Sequence, residues 1–276
     1  MDLPDELLVQ RDCPICRTPG HYGKITDYAR ASWRVVICPV CDFAFLPQVP
    51  DASAFAREFA WDKTHAAEAA YRRRHYPLLE RLEKWTRWRL AIFPRVQPAD
   101  IVNHHARPGP VIDLGCGSGG FSESLGPGFI PYGIEISPAL AQIADGAFAR
   151  RGGSAVQMTA ARGLLQFPDG FFSAAILRSY LEHDAEAREV LSRLHPKMKA
   201  DSLVIIKVPN FGSLNRRIMK RRWCGFRYPD HCNYFTKASM RKLAAICGFE
   251  MRIPWYLGLP TDDNFIAILR PKRKAL

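Results

Sequence analysis

The chain has 276 residues, 47% of them hydrophobic, enough to bury the core of one sizeable α/β domain with a smaller appendage and to hold a ligand cleft. Its formal net charge is +12, yet residues 200–276 carry 15 Lys and Arg against 5 Asp and Glu, so the basic field belongs to one region and speaks of that region's partner. The acidic start (Asp2, Asp5, Glu6) lacks a basic-then-apolar leader, and no run approaches the roughly 18 apolar residues of a membrane span, which sets the expectation of a cytoplasmic chain.

Residues 11–46 read as short β-hairpins punctuated by Gly and Pro, with Val35, Val36 and Ile37 leading into a cysteine pair. Two knuckles, Cys13-Pro14-Ile15-Cys16 and Cys38-Pro39-Val40-Cys41, stand 21 residues apart, close to the spacing that lets four thiolates close a tetrahedron around zinc. Such a site has no open coordination position, so its expected role is structural. The other thiols, Cys116, Cys224, Cys232 and Cys247, lack partners at ligand spacing and are expected to be small buried hydrophobes. Residues 1–50 are thus read as a zinc-ribbon-like module and as a separate mini-domain.

Residues 51–108 favour helix, with Leu78, Leu79, Leu82, Trp85 and Trp88 recurring at helical spacing, and form a helical connector expected to pack on the larger domain. Arg107-Pro108-Gly109-Pro110 then breaks the pattern. From residue 109 to 276 strands alternate with helices, the sign of an α/β, doubly wound parallel sheet. The predicted strands are 110–114, 130–136, 154–158, 173–178, 202–208, 249–256 and 264–270. The predicted helices are 119–125, 138–151, 184–198 and 236–247, with a shorter one near 160–166.

Val111-Ile112-Asp113-Leu114-Gly115-Cys116-Gly117-Ser118-Gly119-Gly120 is an apolar strand running into a glycine turn, which brings backbone close to a ligand. The glycines alone also satisfy the dinucleotide pattern. Asp113 separates the two readings: two residues before the first glycine, a carboxylate repels a pyrophosphate and welcomes a cation. S-adenosylmethionine offers an ammonium and a sulfonium and no phosphate. Glu135 ends the next strand 20 residues after Gly115, where a carboxylate takes ribose hydroxyls.

The run V-I-D-L-G-C-G-S-G-G-F followed by G-I-E-I-S resembles the first two motifs of the class I S-adenosylmethionine-dependent methyltransferases. Phe167-Pro168-Asp169-Gly170 before the strand near 173, Tyr180-Leu181-Glu182-His183 after it, and Cys247-Gly248-Phe249-Glu250 extend the resemblance over about residues 109–270. It implies a Rossmann-like seven-stranded sheet, with Asp113, Gly115, Cys116, Gly117, Gly119, Glu135 and Ile136 around the cofactor. The cysteine module in front resembles a zinc-prefixed subgroup that includes deoxysugar C-methyltransferases, whose Y-x-E-H-x-x-Y-F-S segment is similar to Tyr228-Pro229-Asp230-His231-Cys232-Asn233-Tyr234-Phe235-Thr236. Here Asp230 replaces the subgroup's Glu, and residues 159–165 lack the acid that usually meets the adenine amino group.

Methyl transfer requires a positioned acceptor and a place for its proton. His231 is the first choice for that base, as an imidazole titrating near neutrality, with Tyr228 and Tyr234 steadying the developing anion and His183 as the second candidate. Five cations in seven residues, among them Arg216, Arg217 and Arg221, read as a lid over a small anionic acceptor such as a nucleotide sugar, methylated at carbon or oxygen. A basic amphipathic helix with Leu214, Ile218 and Trp223 on one face also suits peripheral contact with an anionic membrane. Two other readings are a nucleic-acid methyltransferase gripping RNA or DNA through module and lid, and a non-catalytic scaffold. The first lacks an N-P-P-Y-like motif, and the intact Asp113, Gly115, Gly117 and Glu135 oppose the second.

Overall fold

The structure, a computed structural model, describes residues 7–51, 74 and 96–272. Most of the expected connector, including Leu78, Leu79, Leu82, Trp85 and Trp88, lies outside the described residues. Among the described residues no helix is long and apolar enough to cross a membrane.

The N-terminal part forms β1 (Leu8–Gln10), β2 (Lys24–Arg30), β3 (Trp33–Ile37), β4 (Ala44–Phe45) and β5 (Gln48–Pro50). After it come α1 (Pro98–His105), β6 (Gly109–Leu114), β7 (Phe129–Glu135), α2 (Pro138–Ala149), β8 (Ser154–Gln157), α3 (Ala160–Gly163) and β9 (Phe172–Arg178). The rest comprises α4 (Ala187–Lys197), β10 (Met198–Pro209), α5 (Leu214–Met219), β11 (Asn233–Tyr234), α6 (Lys237–Ile246), β12 (Phe249–Arg252) and β13 (Asn264–Pro271).

Seven strands make the central sheet in the order β8-β7-β6-β9-β10-β13-β12, parallel from β8 to β10, with β13 antiparallel to both its neighbours. The unbroken apolar runs explain the parallel part: Val111, Ile112, Leu114, Ala174, Ile176, Leu177 and Leu203 to Ile206 are fully buried, as strands covered on both faces must be. Chain order reverses at β6, which has β7 on one side and β9 on the other, so a crevice opens at the carboxyl ends of these strands. Helix α2 starts there because Ser137 caps it, accepting from Leu140 N, and Pro138 supplies a preset φ at its first position.

Several predicted elements differ: β10, expected at 202–208, runs Met198–Pro209, and the helix near 160–166 turns 3-10 after Gly163. The helix expected at 119–125 is a 3-10 turn over Gly120–Ser124 entered through left-handed Gly119. The one expected from 184 begins at Ala187, because the Asp184 carboxylate accepts from Glu186 N (2.7 Å) and from the Tyr180 hydroxyl, tying a turn instead of capping a helix. The strand expected at 249–256 ends at Arg252, since Pro254 leads into a 3-10 turn at Trp255–Leu257.

The cysteine module is not a free-standing unit. Its sheet runs β2-β3-β4-β11, and its last strand comes from the other end of the chain, with Asn233 opposite Phe45 and Tyr234 opposite Ala44. Phe43 packs on Phe235 at 5.2 Å, and Cys13, Ile15, Cys38 and Phe45 join the same buried cluster as Leu177, Leu181 and Leu243. Lys242 Nζ donates to the Cys41 carbonyl (3.1 Å) and Arg188 to that of Ile15 (3.0 Å).

Candidate active site

The cofactor side is built where β6 ends. Gly115, Gly117 and Gly119 have φ of +70°, +55° and +79°, which L side chains rarely adopt. Their missing Cβ atoms serve different ends. At Gly115 a Cβ would lie 2.5 Å from the Tyr180 ring, and at Gly119 it would meet Phe148 at 2.8 Å, so these two let neighbouring groups pack closely. At Gly117 and Gly120 a Cβ would meet nothing within 4 Å, so open space for a ligand lies there. Gly119 was expected to line the cofactor, but its bare side faces Ala144 and Phe148 of α2. Cys116 likewise turns its thiol inward, where a Cβ on Gly133 would touch Sγ at 2.6 Å, so only its backbone can face a ligand.

Glu135 is buried and its two oxygens accept from Gly117 N (2.9 Å) and Ser137 N (3.0 Å). It therefore shapes the glycine turn, and each oxygen keeps a lone pair for a hydroxyl. Ile136, half-buried, follows it. Asp113 is 4% exposed, and its Oδ1 has no hydrogen-bond partner among the described residues. Burial pushes its carboxyl up to about 8; Arg178 opposes the shift and Glu135 reinforces it. A buried carboxyl with one orphaned oxygen beside an open glycine cradle fits a cationic ligand and is costly without one.

A second cluster stands at the carboxyl end of β9, where Tyr180 lies against Gly115 and Glu182-His183 follow it in sequence. The 228–236 segment folds back over it: Cys232 N and Asn233 N both donate to the Glu182 carbonyl, at 2.8 and 3.1 Å. His183 and His231 thus meet, ring centroids 4.6 Å apart and nearly perpendicular. His183 Nδ1 donates to Asp230 Oδ1 (2.7 Å), Asp230 also pairs with Arg227 (2.9 Å), and His231 Nδ1 donates to the Gly225 carbonyl (2.8 Å). Asp230 orients His183 and not its neighbour in sequence.

The electrostatics correct one expectation. His231 does not titrate near neutrality: burial, and then the adjacent His183, push it down to about 3, which makes it a weak proton acceptor. For His183 burial is outweighed by Asp230, which raises it above the ordinary value. Burial also raises the phenols of Tyr228 and Tyr234, so both stay protonated and able to donate. Glu182, absent from the predicted site, is 1% exposed, and neither carboxylate oxygen has a partner among the described residues. Its burial lifts it to about 7. The only advance signal of Glu182 was the Glu-His pair directly after a strand; what it faces depends on the distant 228–236 segment.

Of the three arginines expected on the acceptor, Arg217 and Arg221 are exposed. Arg216 is committed elsewhere: Nε donates to the Phe211 carbonyl (2.7 Å), Nη1 to the Tyr28 hydroxyl (3.0 Å), and the guanidinium lies 4.4 Å from the Phe211 ring centroid. A groove of about 1000 Å³ runs between β2 and this basic stretch, with Lys24, Tyr28, Arg217, Lys220, Arg221 and Arg222 on its walls. The expected apolar face of the lid splits, for Trp223 is buried while Leu214 and Ile218 are 46% and 69% exposed.

The four knuckle sulfurs all lie within 4.8 Å of one another, with Cys13–Cys41 at 3.4 Å and Cys16–Cys38 at 3.3 Å. A zinc–sulfur bond of about 2.3 Å in a tetrahedron needs sulfurs about 3.8 Å apart, so the group fits that ion. The two knuckles share one turn: Arg17 N donates to the Cys13 carbonyl and Asp42 N to that of Cys38, with positive φ at Arg17 and Asp42.

This strand order, the acid–glycine turn at its switch point and the carboxylate ending the second strand define a class I S-adenosylmethionine-dependent methyltransferase. Residues 73–252 match the family model described as a methyltransferase domain, and the chain belongs to that family. Among solved structures, a SAM-dependent methyltransferase from Methanosarcina mazei is similar in fold at 18% identity, TM-score 0.51, over 66% of this chain and 100% of that one. Further likenesses are a possible histamine N-methyltransferase from Thermotoga maritima (18% identity, TM-score 0.49, 70% of this chain and 96% of that one) and a SAM-dependent methyltransferase from Archaeoglobus fulgidus (17%, 0.48, 71% and 99%). No curated protein matches the chain.

Proposed function

We propose that the chain transfers a methyl group from S-adenosylmethionine to carbon or oxygen of a small anionic acceptor, a nucleotide sugar being the preferred class. The observation that carries this reading is the groove between β2 and the 216–222 stretch, whose walls present Arg217, Lys220, Arg221 and Arg222. Cations lining a groove favour phosphate. Tyr28 stacks on Phe226 at 4.8 Å, so the cysteine module forms one wall of the groove. This arrangement supports membership of the zinc-prefixed subgroup that includes deoxysugar C-methyltransferases, with a structural zinc on Cys13, Cys16, Cys38 and Cys41. Asp113, Gly115, Gly117 and Glu135 hold the cofactor; Glu182, His183 and His231 handle the acceptor's reacting end as one unit, with Tyr228 and Tyr234 as hydrogen-bond donors.

Labelled S-adenosylmethionine offered with a panel of nucleotide sugars, anionic lipid vesicles and RNA tests the reading. Label is expected in a nucleotide sugar, and label in RNA alone would overturn it. Vesicles belong in the panel because Leu214 and Ile218 are exposed beside the cations, a pattern that suits a helix lying on a membrane. Changing Arg217 and Arg221 together to Ala is expected to raise the acceptor's KM about tenfold or more, since each charge-assisted hydrogen bond contributes about 1.5–3 kcal/mol. Cofactor affinity should stay as it is. An unchanged KM would make the basic run a solvated face.

A further inference from the structure

We propose that Glu182, His183 and His231 form a second metal site, separate from the four cysteines, that takes a divalent transition-metal ion. One donor atom from each of the three residues lies within 4.8 Å of the others. The hydrogen bonds fix which nitrogen of each ring is free to act as a donor. A carbonyl or a carboxylate accepts, so Nδ1 of His231 carries its proton toward the Gly225 carbonyl, and Nδ1 of His183 carries its own toward Asp230. Both rings are thereby held in the tautomer that leaves a lone pair on Nε2, and among the described residues neither Nε2 makes a hydrogen bond. Metal-ligating imidazoles are oriented in this way, by a carboxylate or a backbone carbonyl on the far nitrogen.

The third donor is the independent observation. Glu182 is 1% exposed, and neither oxygen has a partner among the described residues. A buried carboxylate left so is costly unless a cation meets it. Two imidazoles and one carboxylate suit zinc, iron, manganese or cobalt better than magnesium or calcium, which prefer oxygen donors throughout. Bonds of about 2.1 Å ask for donors about 3.4 Å apart in a tetrahedron, so a cluster whose donors lie within 4.8 Å of one another closes by at most about 1.4 Å on loading.

Three protein donors leave coordination positions open, unlike the closed cysteine site. The cluster follows Tyr180, whose ring lies against Gly115 of the cofactor turn. An acceptor oxygen bound there would be polarised beside the methyl donor. That last step rests on the function proposed above; the metal site itself does not.

Elemental analysis followed by a Co2+ titration of the chain as purified tests the site. Ions already present plus cobalt taken up are expected to total two per chain in the wild type, and one in Glu182→Gln and in His231→Ala. Cobalt in the new site should show weak absorption without the thiolate charge-transfer band of a cysteine site. Binding of S-adenosylhomocysteine, unchanged in both variants, shows that they are folded. A total of one in the wild type, or of two in either variant, overturns the proposal. Methyl transfer that survives without the second ion would also leave the acceptor reading intact, so the two failures are distinguishable.

Discussion

Replacing Cys38 by Ser is expected to lower stability by more than about 4 kcal/mol, the range reached when a structural metal is lost. For a domain of this size that is a fall of about 10 °C or more in melting temperature, readable by calorimetry together with zinc content. The sequence suggests that such damage stays in the module and spares catalysis. The fold predicts more, because β4 is paired with β11 and Leu46 N donates to the Cys232 carbonyl (2.9 Å), next to His231. Loosening the knuckles frees the segment that brings His231 to His183. Turnover with acceptor should therefore fall at temperatures where the variant is still folded, while S-adenosylmethionine binding at the glycine turn, which the module does not build, persists. A variant that has lost its zinc yet melts as the wild type would remove the structural role from these cysteines.

That coupling shows where sequence reasoning stops. The strands at 109–114, 129–135 and 172–178 were legible because each is a short, largely apolar segment set between turns and helical segments, and the glycine turn was legible because positive φ demands those glycines. The knuckles were legible from spacing alone. What was not legible is pairing at long range: nothing local in Asn233-Tyr234 says that it completes a sheet begun at residue 24. The same holds for the acceptor side. His231 was read as a base titrating near neutrality, but its environment is set by burial, His183 and the Gly225 carbonyl, which its place in the sequence does not reveal. Asp230 looked like its partner by adjacency and in the fold serves His183 instead. Arg216 was grouped with its cationic neighbours, yet only the fold brings Tyr28 from the module to meet it.

Binding of S-adenosylmethionine at pH 7 is expected to release a proton from Asp113. In the ligand-free chain burial holds this carboxyl up at about 8, so at pH 7 it is mostly protonated. A ligand bearing an ammonium and a sulfonium favours the ionised form, and the proton leaves as the ligand binds. Affinity should therefore rise up to tenfold per pH unit below about 8 and level off above it. Calorimetry in two buffers of different ionisation enthalpy measures the released proton. Asp113→Asn should bind more weakly above pH 8 and without that component, and comparing it with the wild type cancels the ligand's own titration. The stability of the ligand-free chain carries the opposite sign. A carboxyl whose folded value exceeds its unfolded value near 3.8 contributes stability that is fully present below the unfolded value and is lost as pH rises through about 8. Each unit of that separation corresponds to about 1.4 kcal/mol, so the ligand-free Asn variant should gain on the wild type between pH 5 and pH 9. Equal proton release in variant and wild type, with parallel melting curves across that range, would place the cationic end of the cofactor away from Asp113 and undo the argument that distinguished this glycine turn from a dinucleotide site.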